Sequence, residues 1–259
     1  MSGYSTIDYA LRDRVALVTL NRPERLNALN AQVFAEMTAA IDEGLADGAR
    51  ALVLTGAGRA FCSGADLQDR SIDTSDLGAM IDAAYNPFAR KLAAVDVPVI
   101  TAVNGLAAGA GCGLALMGDI SVMARSAYLV LAFVNIGLVP DAGATWLVAK
   151  GAGRTKALEM ALLGEKLTAE DALAAGLVTR VVDEEAVLDE ALAIARKLAS
   201  GPSVAIGMIR KQVAAALTAS FDETLEIERA NQRTTGQTAD FREAVTAFAQ
   251  KRAPNFTGS

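Results

Sequence analysis

Two glycine-containing runs and one isolated acid are the parts of this sequence that could do chemistry. The runs are Phe61-Cys62-Ser63-Gly64-Ala65-Asp66-Leu67 and Ala107-Ala108-Gly109-Ala110-Gly111-Cys112-Gly113, each set where a predicted strand turns into a helix. Small residues let a backbone approach a ligand closely, and a helix start leaves N–H groups free beside the positive end of the helix dipole. Two such donors aimed at one point would hold an oxygen that gains negative charge. By themselves, glycine turns more often mean tight packing than a ligand site. The acid is Asp141, in Ile136-Gly137-Leu138-Val139-Pro140-Asp141-Ala142-Gly143-Ala144-Thr145-Trp146. An aspartate in such a turn is usually a turn residue or helix cap. In apolar surroundings it could instead be a base with a raised pKa.

Other chemistries are excluded by what the chain lacks. Its 259 residues contain no histidine, which removes Ser-His-Asp and Cys-His catalysis and every histidine-dependent zinc site. No metal is expected. Cys62 and Cys112 form no C-x-x-C pair and suit a reducing compartment. The formal charge of −6 argues against nucleic acid as a partner. The N-terminus shows no apolar targeting core. The apolar stretch from Val97 to Ile120 is interrupted by Asn104 and five glycines, so no membrane span is expected. A cytoplasmic protein is the expectation.

The elements that must position these residues follow from periodicity. Val15–Leu20, Ala51–Thr55 and Val99–Val103 read as strands, and Ile120–Ala124 and Leu129–Phe133 as further short ones. Val33, Phe34, Met37, Ile41 and Leu45 recur at helical spacing. Gln68 to Asp76 reads as a mobile polar loop, followed by a helix interrupted at Pro87. Beyond about residue 140 the pattern is almost all helical, with a break at Gly201-Pro202. Past that break, Val204, Ile206, Ile209, Val213 and Leu217, then Leu225 and Ile227, then Phe241, Val245 and Phe248, form apolar faces that need cover from the core or another subunit. No internal sequence repeat is evident.

The run Asn21-Arg22-Pro23-Glu24-Arg25-Leu26-Asn27-Ala28-Leu29-Asn30 resembles the opening signature of the crotonase (enoyl-CoA hydratase/isomerase) superfamily. Phe61 to Leu67 resembles that family's first oxyanion loop. Ala102-Val103-Asn104-Gly105 through Gly113, closing on Asp119-Ile120, resembles its second. Ala247-Phe248-Ala249-Gln250-Lys251-Arg252 resembles its last helix, so the likeness runs from about residue 7 to 256. It implies a crotonase-type α/β spiral of ββα units over residues 1 to about 200. Residues from about 201 to 259 would form a C-terminal helical trimerisation region, giving a homotrimer or a dimer of trimers. The implied substrate is an acyl-CoA thioester; coenzyme A is then part of the substrate and no separate cofactor is needed. The implied roles are thioester-oxygen binding by the N–H groups of Ala65 and Ala110, and contacts to CoA by Arg25, Ala28, Asp66 and Leu67. Phe248 and Lys251 would reach CoA, often from a neighbouring subunit.

The departures bear on the reaction. Hydratases of the family carry two glutamates, one three residues after the second oxyanion residue and one seven residues before the proline that is Pro140 here. This chain has Gly113 and Phe133 there, and neither moves a proton. Adding water to a double bond needs groups to activate the water and to handle the α-proton. The segment around Asp141 resembles that of the family's ring-epoxide isomerases of phenylacetate catabolism and of its Δ3,Δ2-enoyl-CoA isomerases. Gly151-Ala152-Gly153-Arg154, Ala161-Leu162-Leu163-Gly164 and Asn255-Phe256-Thr257-Gly258 resemble the former group. The resemblance therefore implies an acyl-CoA isomerase with Asp141 as base, in a pocket of Tyr85, Phe133 and Trp146. Other crotonase activities, such as hydration, thioester hydrolysis or dehalogenation, stay open, as does a non-catalytic CoA-thioester binding protein.

Overall fold

A computed structural model describes residues 3–69 and 75–259. Strands β1 (Ile7–Arg12) and β2 (Val15–Leu20) form a hairpin. Both residues of its turn, Asp13 and Arg14, are left-handed at φ 53° and 60°, the geometry that matches strand twist in a two-residue hairpin. Helix α1 (Ala31–Ala46) starts where the Asn30 side chain accepts the Val33 N–H, and it buries Val33, Phe34, Met37 and Ile41. Next come β3 (Ala51–Gly56), β4 (Ala60–Cys62), α2 (Leu77–Met80) and α3 (Asn86–Ala94). Between α2 and α3 lies a π turn, Ile81–Tyr85, in which the Asn86 N–H reaches back to the Ile81 carbonyl. The interruption expected at Pro87 thus takes the form of a widened turn that makes room for the proline ring.

The chain continues through β5 (Val99–Val103), β6 (Leu106–Ala108) and α4 (Ala110–Leu116). Then follow β7 (Ile120–Ala124), β8 (Tyr128–Val130) and a 3₁₀ turn, Ala132–Ile136. Phe133, expected at a strand end, lies in that turn instead. Helix α5 (Ala144–Leu163) kinks at Gly153. It is followed by β9 (Leu167–Thr168), α6 (Ala169–Ala174), β10 (Arg180–Val182) and α7 (Val187–Ala199). Helices α8 (Ser203–Ala216), α9 (Phe221–Thr235) and α10 (Ala239–Ala249) end the chain.

The larger sheet has the order β1-β2-β3-β5-β7-β10, and all but β1 run parallel. The smaller has the order β4-β6-β8-β9, with β9 antiparallel. Three successive passes repeat one pattern: a strand in the large sheet, a strand in the small one, then a helix. These are β3–β4 with α2 and α3, β5–β6 with α4, and β7–β8 with α5. The repeat lies in hydrogen-bonded geometry, not in sequence. Every residue of β3 and β5 is buried, as befits parallel strands covered on both faces, with α7 packed across β3, β5 and β7. The polar stretch expected to be mobile lies largely outside the described residues. Among the described residues, no single helix is long and apolar enough to cross a membrane.

One arginine fastens the C-terminal helices to this frame. Arg210 Nε on α8 donates to Asp119 Oδ1 and Oδ2 at 2.8 and 2.6 Å. Its other nitrogens donate to the carbonyls of Leu92, Ala93 and Val95, the open end of α3. Asp119 also accepts the Val99 N–H at 2.7 Å, so it joins α8 to the start of β5. Beyond this clamp the apolar faces are uncovered within the chain: Val213 is 61% exposed, Phe221 77% and Phe248 87%. Arg210→Met should destabilise the fold by about 3 kcal/mol, because it leaves Asp119 and three carbonyls short of a donor. Thermal unfolding of both proteins at one concentration checks this, and an unchanged midpoint would remove the clamp from the account.

Candidate active site

The first glycine run leaves β4 and passes beside residues 26–29. Ser63 N–H donates to the Leu26 carbonyl, Leu29 N–H to Gly64, and Asp66 N–H to Leu29, at 3.0, 2.7 and 2.8 Å. Gly64 and Asp66 therefore face Leu29 across a parallel bridge. The Ala65 N–H shares a trans peptide with the Gly64 carbonyl that accepts from Leu29, so it points away from Leu29. The gap between the runs is set by Gly64. At φ 90°, a side chain there would lie 2.7 Å from the Ala108 carbonyl oxygen and 3.4 Å from the Ala110 nitrogen. Ala110 is the first residue of α4, so its N–H has no acceptor within the helix. Neither the Ala65 nor the Ala110 N–H donates a backbone hydrogen bond among the described residues.

Polar side chains outside the cavity hold the runs in place. Asn27 Nδ2 donates to the carbonyls of Ala57 and Ala60, and Asn104 Nδ2 to that of Gly58 at 2.9 Å. Arg22 donates to the Ala28 carbonyl at 2.6 Å and to Asp66 Oδ2 at 2.7 Å.

Ala65 and Ala110 line one cavity of about 480 Å³ together with Asp141. Its walls are mainly apolar: Leu77, Met80 and Ile81 on one side, Phe133, Leu138 and Val139 on another. Asp141 Oδ1 is buried with no hydrogen-bond partner. Loss of water raises the Asp141 pKa to about 6, opposed in part by its own backbone N–H. Among the described residues lining the cavity, Asp141 is the one ionisable side chain. The nearby thiols offer no second base, since full burial pushes Cys62 and Cys112 up to about 12.

The expected site residues divide into two groups. Phe133 lines the cavity, and its ring tip lies 3.8 Å from where a Gly109 side chain would begin. Tyr85 is buried behind the cavity; burial first, and the Asp141 carboxylate second, push its phenol up. Leu67 stands at the mouth, 68% exposed. Arg25 is exposed and pairs with Gln68 Oε1. Ala28 and Asp66 are buried. The Asp66 carboxylate is taken up by Arg22, so it braces the loop rather than presenting its charge to a ligand. Trp146 corrects the expectation: it lies in a separate apolar groove with Ile209 and Val213 of α8 and Leu217 just past its end. The left-handed residues Ala142 and Gly143 turn the chain between Asp141 and α5, which aims the indole at α8. Phe248 and Lys251 lie outside the cavity of their own chain. Arg22 was legible in the sequence only as part of a signature. Met80 and Leu138 carried no signal beyond being apolar.

The wound α/β frame thus brings Ala65, Ala110 and Asp141 to one mainly apolar cavity, the arrangement in which a base and two amide donors can act on one bound group. The chain belongs to the enoyl-CoA hydratase/isomerase family, whose model matches residues 11–259. It is 48% identical over 249 residues to 1,2-epoxyphenylacetyl-CoA isomerase of Escherichia coli, covering 94% of this chain and 95% of that one. It is 44% identical to a Rhodobacter capsulatus protein named "probable enoyl-CoA hydratase", covering 99% of each. The crystal structure of an enoyl-CoA hydratase from Bacillus anthracis superposes with a TM-score of 0.93 at 28% identity, over 98% of this chain and 100% of that one.

The raised acid has a consequence for stability. Because its pKa is higher in the folded chain, that chain keeps a proton the unfolded one has released between pH about 4 and about 6. Stability from this group is present at low pH and lost as pH rises through about 6. Asp141→Asn should therefore be more stable than wild type at pH 7.5, by about 1–2 kcal/mol after allowance for solvent screening on the open side of the group. The gain should vanish below pH about 4. Melting curves across that range check the sign; a variant less stable at pH 7.5 would contradict it.

Proposed function

We propose that this crotonase is an acyl-CoA isomerase in which Asp141 moves one proton. The observation that carries the reading is the buried Asp141 Oδ1, without a hydrogen bond, in a cavity that Ala65 and Ala110, whose N–H groups donate no backbone hydrogen bond, also line. The thioester oxygen accepts those two N–H groups, which makes the C2 proton acidic. Asp141 takes that proton and leaves an enolate whose charge rests on the held oxygen. For a 3-enoyl-CoA the proton returns at C4, and the double bond moves into conjugation with the carbonyl. For a ring-epoxide phenylacetyl-CoA, loss of the C2 proton drives rearrangement toward the oxepin, with the proton returned further along the conjugated system. In both cases the composition of the substrate is unchanged. One oxyanion donor contributes roughly 3–4 kcal/mol to such a step, and a positioned base about 10²–10⁴-fold in rate.

The name of the Rhodobacter capsulatus relative favours a second reading, hydration. Against it stand Gly113 and Phe133 at the two glutamate positions, and a cavity in which Asp141 is the one ionisable side chain among the described residues. Arg25, Leu67 and the backbone near Ala28 and Asp66 border the CoA moiety in this proposal. Phe248 and Lys251 contribute from a neighbouring copy in a trimer or dimer of trimers. The exposed faces of α8 to α10 support that assembly, since a lone soluble chain rarely leaves so much apolar surface open. Sedimentation at micromolar concentration should show trimers or hexamers, and a monodisperse monomer would exclude it.

The chemistry is tested by turnover. Asp141→Asn should fold and bind CoA but lose isomerase activity by at least about 10²-fold. The wild-type kcat/KM should rise with pH through about 6 and level off above, as the base ionises. Crotonyl-CoA hydration should be very slow beside isomerisation of 3-hexenoyl-CoA or of the phenylacetyl-CoA epoxide. Brisk hydration by the wild type, or full isomerisation by the Asn variant, would defeat the proposal.

A further inference from the structure

Helix α10 ends in a reversal built around one guanidinium. Arg252 Nε donates to Gln250 Oε1 at 2.7 Å, and Nη1 to the Ala253 carbonyl at 3.1 Å. Nη1 and Nη2 also donate to Glu243 Oε1 and Oε2, at 2.6 and 2.9 Å. Glu243 Oε1 accepts the Asn255 N–H as well, at 2.8 Å. One carboxylate of α10 thus ties the helix to the chain beyond the turn at two points. The tail then runs back along the helix to its first turn. There the buried Asp240 accepts the N–H groups of Thr257 and Gly258 at 2.7 and 2.9 Å. Inside the reversal, Lys251 is exposed and left-handed, at φ 54°. A residue with a Cβ holds that conformation only where its surroundings impose it. Among the described residues, the Lys251 ammonium makes no ion pair or hydrogen bond.

We infer that Glu243 is a positioning residue for coenzyme A: through Arg252 it fixes the turn at Lys251, and so presents the Lys251 ammonium to the phosphates of a thioester bound in a neighbouring copy. The inference rests on the reading that Lys251 reaches CoA from an adjoining subunit. A lysine on a loose tail gives up chain and side-chain freedom when it binds, and one on a turn already formed gives up less. The fork suits that task better than it suits holding the fold together. The Glu243 and Arg252 side chains are 25% and 41% exposed, so water screens their attraction. Bidentate pairing still fixes geometry. The guanidinium first, and the Asn255 N–H second, hold the Glu243 carboxyl down at about 2, so the fork stays charged at working pH.

The direction of the effect separates positioning from plain charge. Glu243 is an acid close in the chain to a proposed phosphate contact. Removing its charge lowers repulsion of a phosphate, so Coulomb attraction alone predicts tighter CoA binding by Glu243→Gln. Positioning predicts weaker binding, because the amide cannot make the charged fork and the turn at Lys251 loosens.

Calorimetric titration compares hexanoyl-CoA, a saturated thioester, with hexanoyl-pantetheine, which lacks every phosphate. Glu243→Gln should weaken hexanoyl-CoA binding by at least about threefold and leave hexanoyl-pantetheine unchanged. Lys251→Ala should weaken hexanoyl-CoA by about tenfold. Adding Glu243→Gln to Lys251→Ala should bring no further loss, because the acid acts through the lysine. Arg252→Gln, with the same double variant, carries the test if Glu243→Gln does not fold. Sedimentation should show every variant in the wild-type assembly. Equal or tighter hexanoyl-CoA binding by Glu243→Gln, an equal loss on both ligands, a further loss in the double variant, or loss of assembly overturns the inference. Lys251→Ala separates the two claims. If it binds hexanoyl-CoA as wild type does, the reading of Lys251 as a CoA contact fails; if it weakens binding while Glu243→Gln does not, only the positioning role fails.

Discussion

A carboxyl with one buried oxygen left without a hydrogen bond, in an apolar cavity, is the constraint around which this site is arranged. Charged groups removed from water usually find a cation or shift toward neutrality, and the Asp141 carboxyl does the second. A carboxyl pushed up to about 6 is ionised at neutral pH yet more basic than one in water. That state persists only if the chain cannot relax around it, by swinging the acid outward or admitting a lysine or arginine. The left-handed turn at Ala142 and Gly143 opposes the first escape. Among the described residues lining the cavity there is no lysine or arginine to supply the second.

The amides opposite depend on the winding of the sheets. Each free N–H comes from a point where a strand of the small sheet gives way to another conformation, and parallel pairing of β4 with β6 sets those points side by side. The approach is closer than any side chain permits at Gly64. Asn27 and Asn104, outside the cavity, tie the β3–β4 connection down, so the runs are held from behind as well as by the β4–β6 pairing. Donors that already point at the place where charge develops need little reorganisation during a reaction. The strong ion pair of Arg22 with Asp66 belongs to the same bracing.

How much of this could be read from residues alone varies with the physics involved. The interior strands β2, β3, β5 and β7 were legible because burial on both faces writes a continuous apolar run, and α1 because its stripe is regular. β1 was missed, since its half-buried IDYALR pattern lacks that run. β6, β9 and β10 span only two or three residues and are defined by their partners. In the site, Ala65, Ala110 and Asp141 were legible through motif spacing, and the structure brings all three to one cavity. Trp146 was misplaced because its relation to Asp141 depends on two left-handed residues, and nothing in an alanine announces a positive φ. The apolar walls are likewise a property of packing, as any Leu or Met could have served the core.

The same geometry bears on the range of reactions open to the site. In the isomerisation proposed above, the proton taken from C2 and the proton given back pass through the Asp141 carboxyl, so both carbons must lie on one face of the substrate and within reach of one side chain. A 1,3-shift along a chain satisfies this without movement of the thioester, and so does a bent ring system whose conjugation folds back toward C2. Hydration asks for something different: a water held and deprotonated on its way to C3 while another group attends to C2. The walls near Asp141 are side chains such as Phe133 and Leu138, which give such a water few hydrogen-bond partners. In the isomerase proposed above, the apolar walls that raise the basicity of Asp141 would also leave a water with few groups to activate it. On that proposal both effects follow from one property of the walls, so turning the site to hydration would take more than one new glutamate.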